Sequence, residues 1–115
     1  WLKLGKTWYY LKGSGAMATG WQKVGGSWYY LKGSGAMAVG WQKIGGTWYY
    51  LKDSGAMATG WRQIDGHWYF LSGSGAMAKN KWIGDYYVTG SGAMATNTWI
   101  GKYHVNAAGK WDQTR

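Results

Sequence analysis

At 115 residues the chain is long enough for one ordinary domain, but its composition is not that of one. Eleven Trp, ten Tyr and twenty-one Gly stand beside few Leu, Ile, Val or Phe, so aromatic side chains are expected to supply most of the burial. There is no Cys, which excludes a disulfide framework and a thiolate metal site, and the formal charge of +9 favours anionic partners.

No apolar run approaches the ~18 residues of a membrane span, and no signal peptide is visible. The string Gly-Ala-Met-Ala recurs at 15–18, 35–38, 55–58, 75–78 and 92–95, and with it a period of twenty residues. Such a period describes a linear array of one small supersecondary unit. Alignment on the motifs gives a single repeat array over 1–115. Units 1–20, 21–40, 41–60 and 61–81 are full-length, and units 82–98 and 99–115 are shortened. The chain opens on Trp1, already inside a repeat, which reads as a piece of a longer protein. The two shortened units read as C-terminal capping.

Trp1, Trp21, Trp41 and Trp61 open the full-length units, and Trp8, Trp28, Trp48 and Trp68 follow seven residues later. Between the two Trp of the second unit, Val24-Gly25-Gly26-Ser27 reads as a hairpin turn, since Gly tolerates the positive φ such turns demand. That turn pairs Val24 with Ser27, Lys23 with Trp28, Gln22 with Tyr29 and Trp21 with Tyr30. The stretch after Leu31 is a loop leading into Ala36-Met37-Ala38, too short for a helix. In the shortened units four residues are missing between the opening Trp and the aromatic pair. Loss of two from each strand keeps Trp82 opposite Tyr87, because side chains alternate with period two.

With this pairing Trp21, Lys23, Trp28 and Tyr30 share one strand face, and Val24, Tyr29 and Leu31 the other. Head-to-tail stacking of like units brings the first face of one hairpin onto the second face of the next. Each junction then gathers three aromatics. They are Trp1, Trp8 and Tyr29, then Trp21, Trp28 and Tyr49, then Trp41, Trp48 and Tyr69, then Trp61, Trp68 and Tyr86. Three aromatic walls around a small gap suit a quaternary ammonium, which donates no hydrogen bond and is held by π-face electrostatics. The bland reading of the same stripe is core packing, edge to face, with no ligand.

The phased pattern Thr-Gly-Trp-Gln-Lys, Gly-Ser-Trp-Tyr-Tyr-Leu-Lys and Ser-Gly-Ala-Met-Ala at 19–38 resembles the choline-binding repeat of streptococcal surface proteins and phage lysins. The resemblance is close for residues 1–81 and holds in shortened form for 82–115. It implies an all-β, left-handed solenoid of stacked hairpins, about six repeats long, with phosphocholine bound between consecutive repeats. It also implies apolar contacts from Met17, Met37, Met57 and Met77 at the four junctions. Asp85 stands where unit five needs its second Trp, so Trp82 and Tyr103 lack a wall and no standard fifth site is expected.

The function this implies is a non-catalytic module that anchors a larger protein to choline-decorated teichoic and lipoteichoic acids. Its place would be secreted, at a Gram-positive cell surface or cell wall, with a choline-dependent dimer, no nucleic-acid partner and no cofactor beyond the ligand itself. A parent cell-wall hydrolase fits the same resemblance. Lys3, Lys12, Lys23, Lys32, Lys43 and Lys52 recur in register and read either as a track for a polyphosphate backbone or as a solvated face. A glucan-binding or other carbohydrate-binding repeat is the alternative, but the junctions are poor in the polar groups that sugar hydroxyls need. Single-stranded nucleic-acid binding shares the charge and the aromatics, yet leaves the Gly-Ala-Met-Ala loops without a role. His67 and His104 have no metal-ligand set, and no nucleophile with a base, or phased carboxylate pair, is evident.

Overall fold

The computed structural model describes all 115 residues, and every regular element in it is a β-strand. The chain divides into two compact units, Trp1–Ala58 and Thr59–Arg115. The first unit holds three antiparallel hairpins: β1 (Leu2–Leu4) with β2 (Thr7–Tyr9), β3 (Gly20–Val24) with β4 (Ser27–Leu31), and β5 (Gly40–Ile44) with β6 (Thr47–Leu51). The second holds β7 (Gly60–Ile64) with β8 (His67–Leu71), then β9 (Lys81–Ile83) with β10 (Tyr86–Val88). It closes on a three-stranded sheet of β11 (Thr98–Ile100), β12 (Tyr103–Val105) and β13 (Trp111–Thr114).

The register follows from the turns. Gly25 and Gly26 adopt φ of 58° and 85°, the left-handed pair that a two-residue turn of type I′ requires. Val24 thereby faces Ser27, Lys23 faces Trp28, Gln22 faces Tyr29 and Trp21 faces Tyr30, as the sequence pattern predicts. In the shortened hairpins Trp82 faces Tyr87 and Trp99 faces His104, so loss of two residues per strand has preserved the faces.

Each hairpin leads into a loop that turns back beside it. Leu31 forms a bridge with Met37, the Lys32 N–H donates to the Ala36 carbonyl, and the Ala38 N–H donates to the Tyr30 carbonyl. The same loop also reaches the preceding repeat, since the Met37 N–H donates to the Trp8 carbonyl at 2.9 Å. Equivalent bonds run from Met57 to Trp28 in the first unit, and from Met94 to Trp68 and Trp111 to Asp85 in the second. One main-chain bond per step therefore stitches consecutive hairpins within a unit.

The aromatics are numerous and half-buried, but the fully buried positions are aliphatic. The fully buried large side chains are Leu31 and Leu51 in the first unit and Leu71, Val88 and Val105 in the second, flanked by Ala18, Ala38 and Ala58 or by Ala95. No Trp or Tyr is buried, and Trp8, Trp28, Trp48 and Trp68 keep 38–41% of their surface exposed. The physical reason lies in the hairpin ends. From the second repeat onward one aliphatic residue per repeat sits at the strand terminus where the returning loop covers it, whereas Leu11 of the first repeat stays exposed; the aromatic face meets its neighbour across a gap. A spine of single aliphatic residues is the core, and the aromatics are left half-exposed.

The methionines fill a second column. The Met17 side chain packs against Gly35, Met37 against Gly55, Met77 against Gly92 and Met94 against Gly109, so closely that a Cβ on each of these glycines would overlap the Met sulfur or methyl. At the end of the second unit Arg115 holds its guanidinium carbon 4.5 Å from the Trp99 ring centroid and donates to the Gly101 carbonyl. His104 pairs through Nδ1 with the Asp112 carboxylate at 2.7 Å.

Candidate functional site

The aromatic face of each hairpin is built by cross-strand pairing. Trp21 lies edge to face with Tyr30 at 5.2 Å and with Trp28 at 6.5 Å, and Trp41 repeats this with Tyr50 and Trp48. Such T-shaped pairs hold the indoles upright and leave ring faces open. The next hairpin then presents the first Tyr of its pair, or Tyr86 in the shortened hairpin. Trp1 meets Tyr29 at 4.8 Å and Trp21 meets Tyr49 at 5.0 Å in the first unit, and Trp61 meets Tyr86 at 5.6 Å in the second.

Three of the four expected sets are thus brought together within a unit. Of the remaining set, Trp41 and Trp48 pack at 6.3 Å in the first unit, whereas Tyr69 belongs to the second, opposite Arg62.

Two of these sets enclose hollows. Trp1, Trp8, Tyr29, Met37, Asp53 and Ser54 line one of about 360 Å³, and Trp61, Trp68, Tyr86, Met94 and Ala108 line one of about 310 Å³. Both are at the small end of ligand pockets, open to solvent and dominated by apolar walls. Both also take their walls from three successive repeats. Two Trp come from the first, a Tyr and a Met from the second, and loop residues (Asp53 and Ser54, or Ala108) from the third.

The methionine assignment therefore needs correction by one repeat. Met37, not Met17, lines the hollow of Trp1 and Trp8, and Met94, not Met77, lines that of Trp61 and Trp68. Met57, through its N–H bond to the Trp28 carbonyl, holds the corresponding place beside Trp28. The stitch explains the shift: the loop that reaches back to a hairpin is the one that follows the next hairpin. Met94 stood in plain view in the last Gly-Ala-Met-Ala string. Asp53 and Ser54 carried no signal, because their approach needs the fold.

A third hollow, of about 300 Å³, lies in the second unit and is lined by Trp82, Gly84, Asp85, Tyr103 and Trp111. Trp82 and Tyr103 lack a third wall from the repeat pattern alone. Trp111 supplies it, 5.8 Å from Tyr103, which in turn is 5.8 Å from Trp82. Gly109-Lys110-Trp111 is in phase with Gly92-Ala93-Met94, and that phase was the available signal.

The hollows hold aromatic faces at angles to one another, with few hydrogen-bonding groups on the walls. That chemistry selects a compact, poorly hydrated organic cation over a sugar or a nucleobase. The lysines set the surrounding field: Lys3, Lys23 and Lys43 are the cross-strand partners of Trp8, Trp28 and Trp48, and the Lys3 ammonium lies 5.6 Å from the Trp8 ring centroid.

Stacked hairpins with half-exposed aromatic faces between them define a repeat-built binding module. Choline-binding repeat models match residues 1–40, 38–82 and 76–111, and the chain belongs to the choline-binding repeat family. Among solved structures, choline binding protein F of Streptococcus pneumoniae is similar at 47% identity and a TM-score of 0.91, over 98% of this chain and 40% of that one. The modular autolysin LytC of the same organism, solved with a synthetic peptidoglycan ligand, is similar at 35% identity and a TM-score of 0.66, over 96% of this chain and 31% of its own. The choline-binding domain of CbpL from Streptococcus pneumoniae is similar at 36% identity and a TM-score of 0.52, over 96% of this chain and 72% of its own. The chain thus spans well under half the length of the first two. No curated protein sequence matches.

Proposed function

We propose that this chain is a non-catalytic choline-binding module that anchors a larger protein to the phosphocholine groups of teichoic and lipoteichoic acids at a bacterial cell surface. The observation that carries the reading is the recurrence of aromatic-walled hollows along the repeats, in a chain of the choline-binding repeat family. Each hollow offers a trimethylammonium group several π-faces and a methionine, a contact of roughly 0.5–2 kcal/mol per ring depending on desolvation. Single sites of this kind are weak, and several on one chain facing a repeating polymer become strong through effective concentration. The positive charge of the module attracts the polymer's phosphates at long range while the hollows capture choline locally. Choline is the ligand, and the reading calls for no cofactor. The similarity to a modular autolysin fits a cell-wall hydrolase as the tethered partner, and a choline-dependent dimer would add further valency.

Retention on a tertiary-amine resin tests the reading. Free choline is expected to elute the protein, and glucose or moderate salt is not. Elution by glucose would replace choline with a carbohydrate ligand, and elution by salt alone would reduce the interaction to charge. Sedimentation with and without choline tests the dimer.

A further inference from the structure

The hollow of repeats five and six departs from the others in two linked ways. Asp85 occupies the main-chain position of the second Trp: its carbonyl accepts the Trp111 N–H at 2.8 Å, as the Trp68 carbonyl accepts that of Met94. Trp111 occupies the position of the methionine. The two exchanges leave three aromatic walls, Trp82, Tyr103 and Trp111, and bring Asp85 to the lining where the hollow of Trp61 has the Trp68 indole and no acidic residue, while the hollow of Trp1 keeps both indoles and has Asp53 from a loop. The Trp111 ring is held by its Nε1–H, which donates to the Gln113 carbonyl at 3.0 Å and lies 3.1 Å from Thr114 Oγ1. The ion pair of this unit joins His104 to Asp112, so Asp85 keeps its carboxylate for another partner. Tyr103 already attracts one ammonium, that of Lys102, 5.5 Å from its ring centroid.

We propose that this hollow is a further cation site that differs in selectivity from the hollow of Trp61, preferring ammonium ions that carry at least one N–H over the fully methylated headgroup. In the hollow of Trp61, Trp68, Tyr86, Met94 and Ala108 no acidic residue lines the walls, so an N–H finds only solvent there and gains nothing over a methyl group. At Asp85 the same N–H makes a charge-assisted hydrogen bond, whereas a trimethylammonium group has no donor and gains only charge proximity. The proposal rests on the functional reading above only for the preference of the neighbouring hollows.

Titration of the intact chain with N,N-dimethylethanolamine hydrochloride and with choline chloride, read through the assigned indole N–H signals, separates the sites. The Trp111 and Trp82 signals are expected to move at about tenfold lower concentration with dimethylethanolamine than with choline, as one charge-assisted hydrogen bond implies. The Trp28 and Trp61 signals are expected to favour choline or to respond equally. Asp85→Asn, which keeps shape and the main-chain bond, should erase the preference at Trp111, and Asp85→Glu should retain it. A Trp111 signal that follows choline as tightly as dimethylethanolamine, or a preference that survives Asp85→Asn, overturns the proposal. Trp111 responding to dimethylethanolamine while Trp28 and Trp61 ignore choline upholds it and overturns the anchoring function instead.

Discussion

At the scale of single residues, the indole of Trp28 is worth more to the ligand than to the fold. It keeps 41% of its surface exposed and contacts Trp21 only edge to face. Trp28→Phe preserves an aromatic wall with a weaker π-face, and calorimetric titration is expected to show choline affinity at that hollow falling by about 1 kcal/mol, with little change in melting. Unchanged affinity would remove Trp28 from the site. Gly35 shows the opposite balance. It adopts a φ of 88° and lies against Met17, so an alanine there is strained and must displace the side chain. Gly35→Ala is expected to destabilise the protein by about 1–3 kcal/mol in thermal or urea unfolding. Gly33, two residues earlier in the same loop, has open space and no left-handed backbone, so Gly33→Ala should stay within about 0.5 kcal/mol.

At the scale of the hairpin, stability rests on the aliphatic spine. Leu51→Ala empties a fully buried position and is expected to cost about 2–5 kcal/mol. Trp48→Ala, although it removes a larger side chain, should cost less than Leu51→Ala, because that ring remains 39% exposed. Urea unfolding of the two variants would decide between an aliphatic and an aromatic core, and the reverse ranking would restore the aromatic one. The same hairpins show what a sequence can and cannot disclose. Turn chemistry at Gly25-Gly26 fixed the pairing from Gln22 to Tyr29 residue by residue, because a two-residue turn leaves no choice of register. The faces followed, and with them the meeting of Trp21 with Tyr49. Composition pointed to the half-buried aromatics but not to the aliphatic spine, since counting residues says nothing of where a loop will cover a strand end. The third walls at Ser54 and Ala108 were illegible for a related reason: they arrive with loops bonded through the main chain between repeats, and such bonds leave no mark on side-chain periodicity, whereas Trp111 was marked by its phase with Met94.

At the scale of the whole molecule, a ligand whose walls come from successive repeats binds the folded chain and not the unfolded one. Stabilisation then grows as RT ln(1 + [L]/Kd) per site, about 1.4 kcal/mol for each site at tenfold excess over its dissociation constant. Thermal scans are expected to show melting rising steeply with choline chloride and barely with equal sodium chloride or glucose. An equal shift with salt or sugar would mean that choline is not the stabilising ligand.

The stitch between repeats has a consequence for how such chains change over generations. Its donor and acceptor are peptide groups, at Met94 and Trp68 in one step and at Trp111 and Asp85 in the next, so the bond is blind to the side chains it joins. Frame and fittings are therefore separately heritable. A mutation can swap an indole for a carboxylate, or a thioether for an indole, without disturbing the scaffold that positions both. Repeats born as copies of one another are free to drift in taste while remaining identical in build.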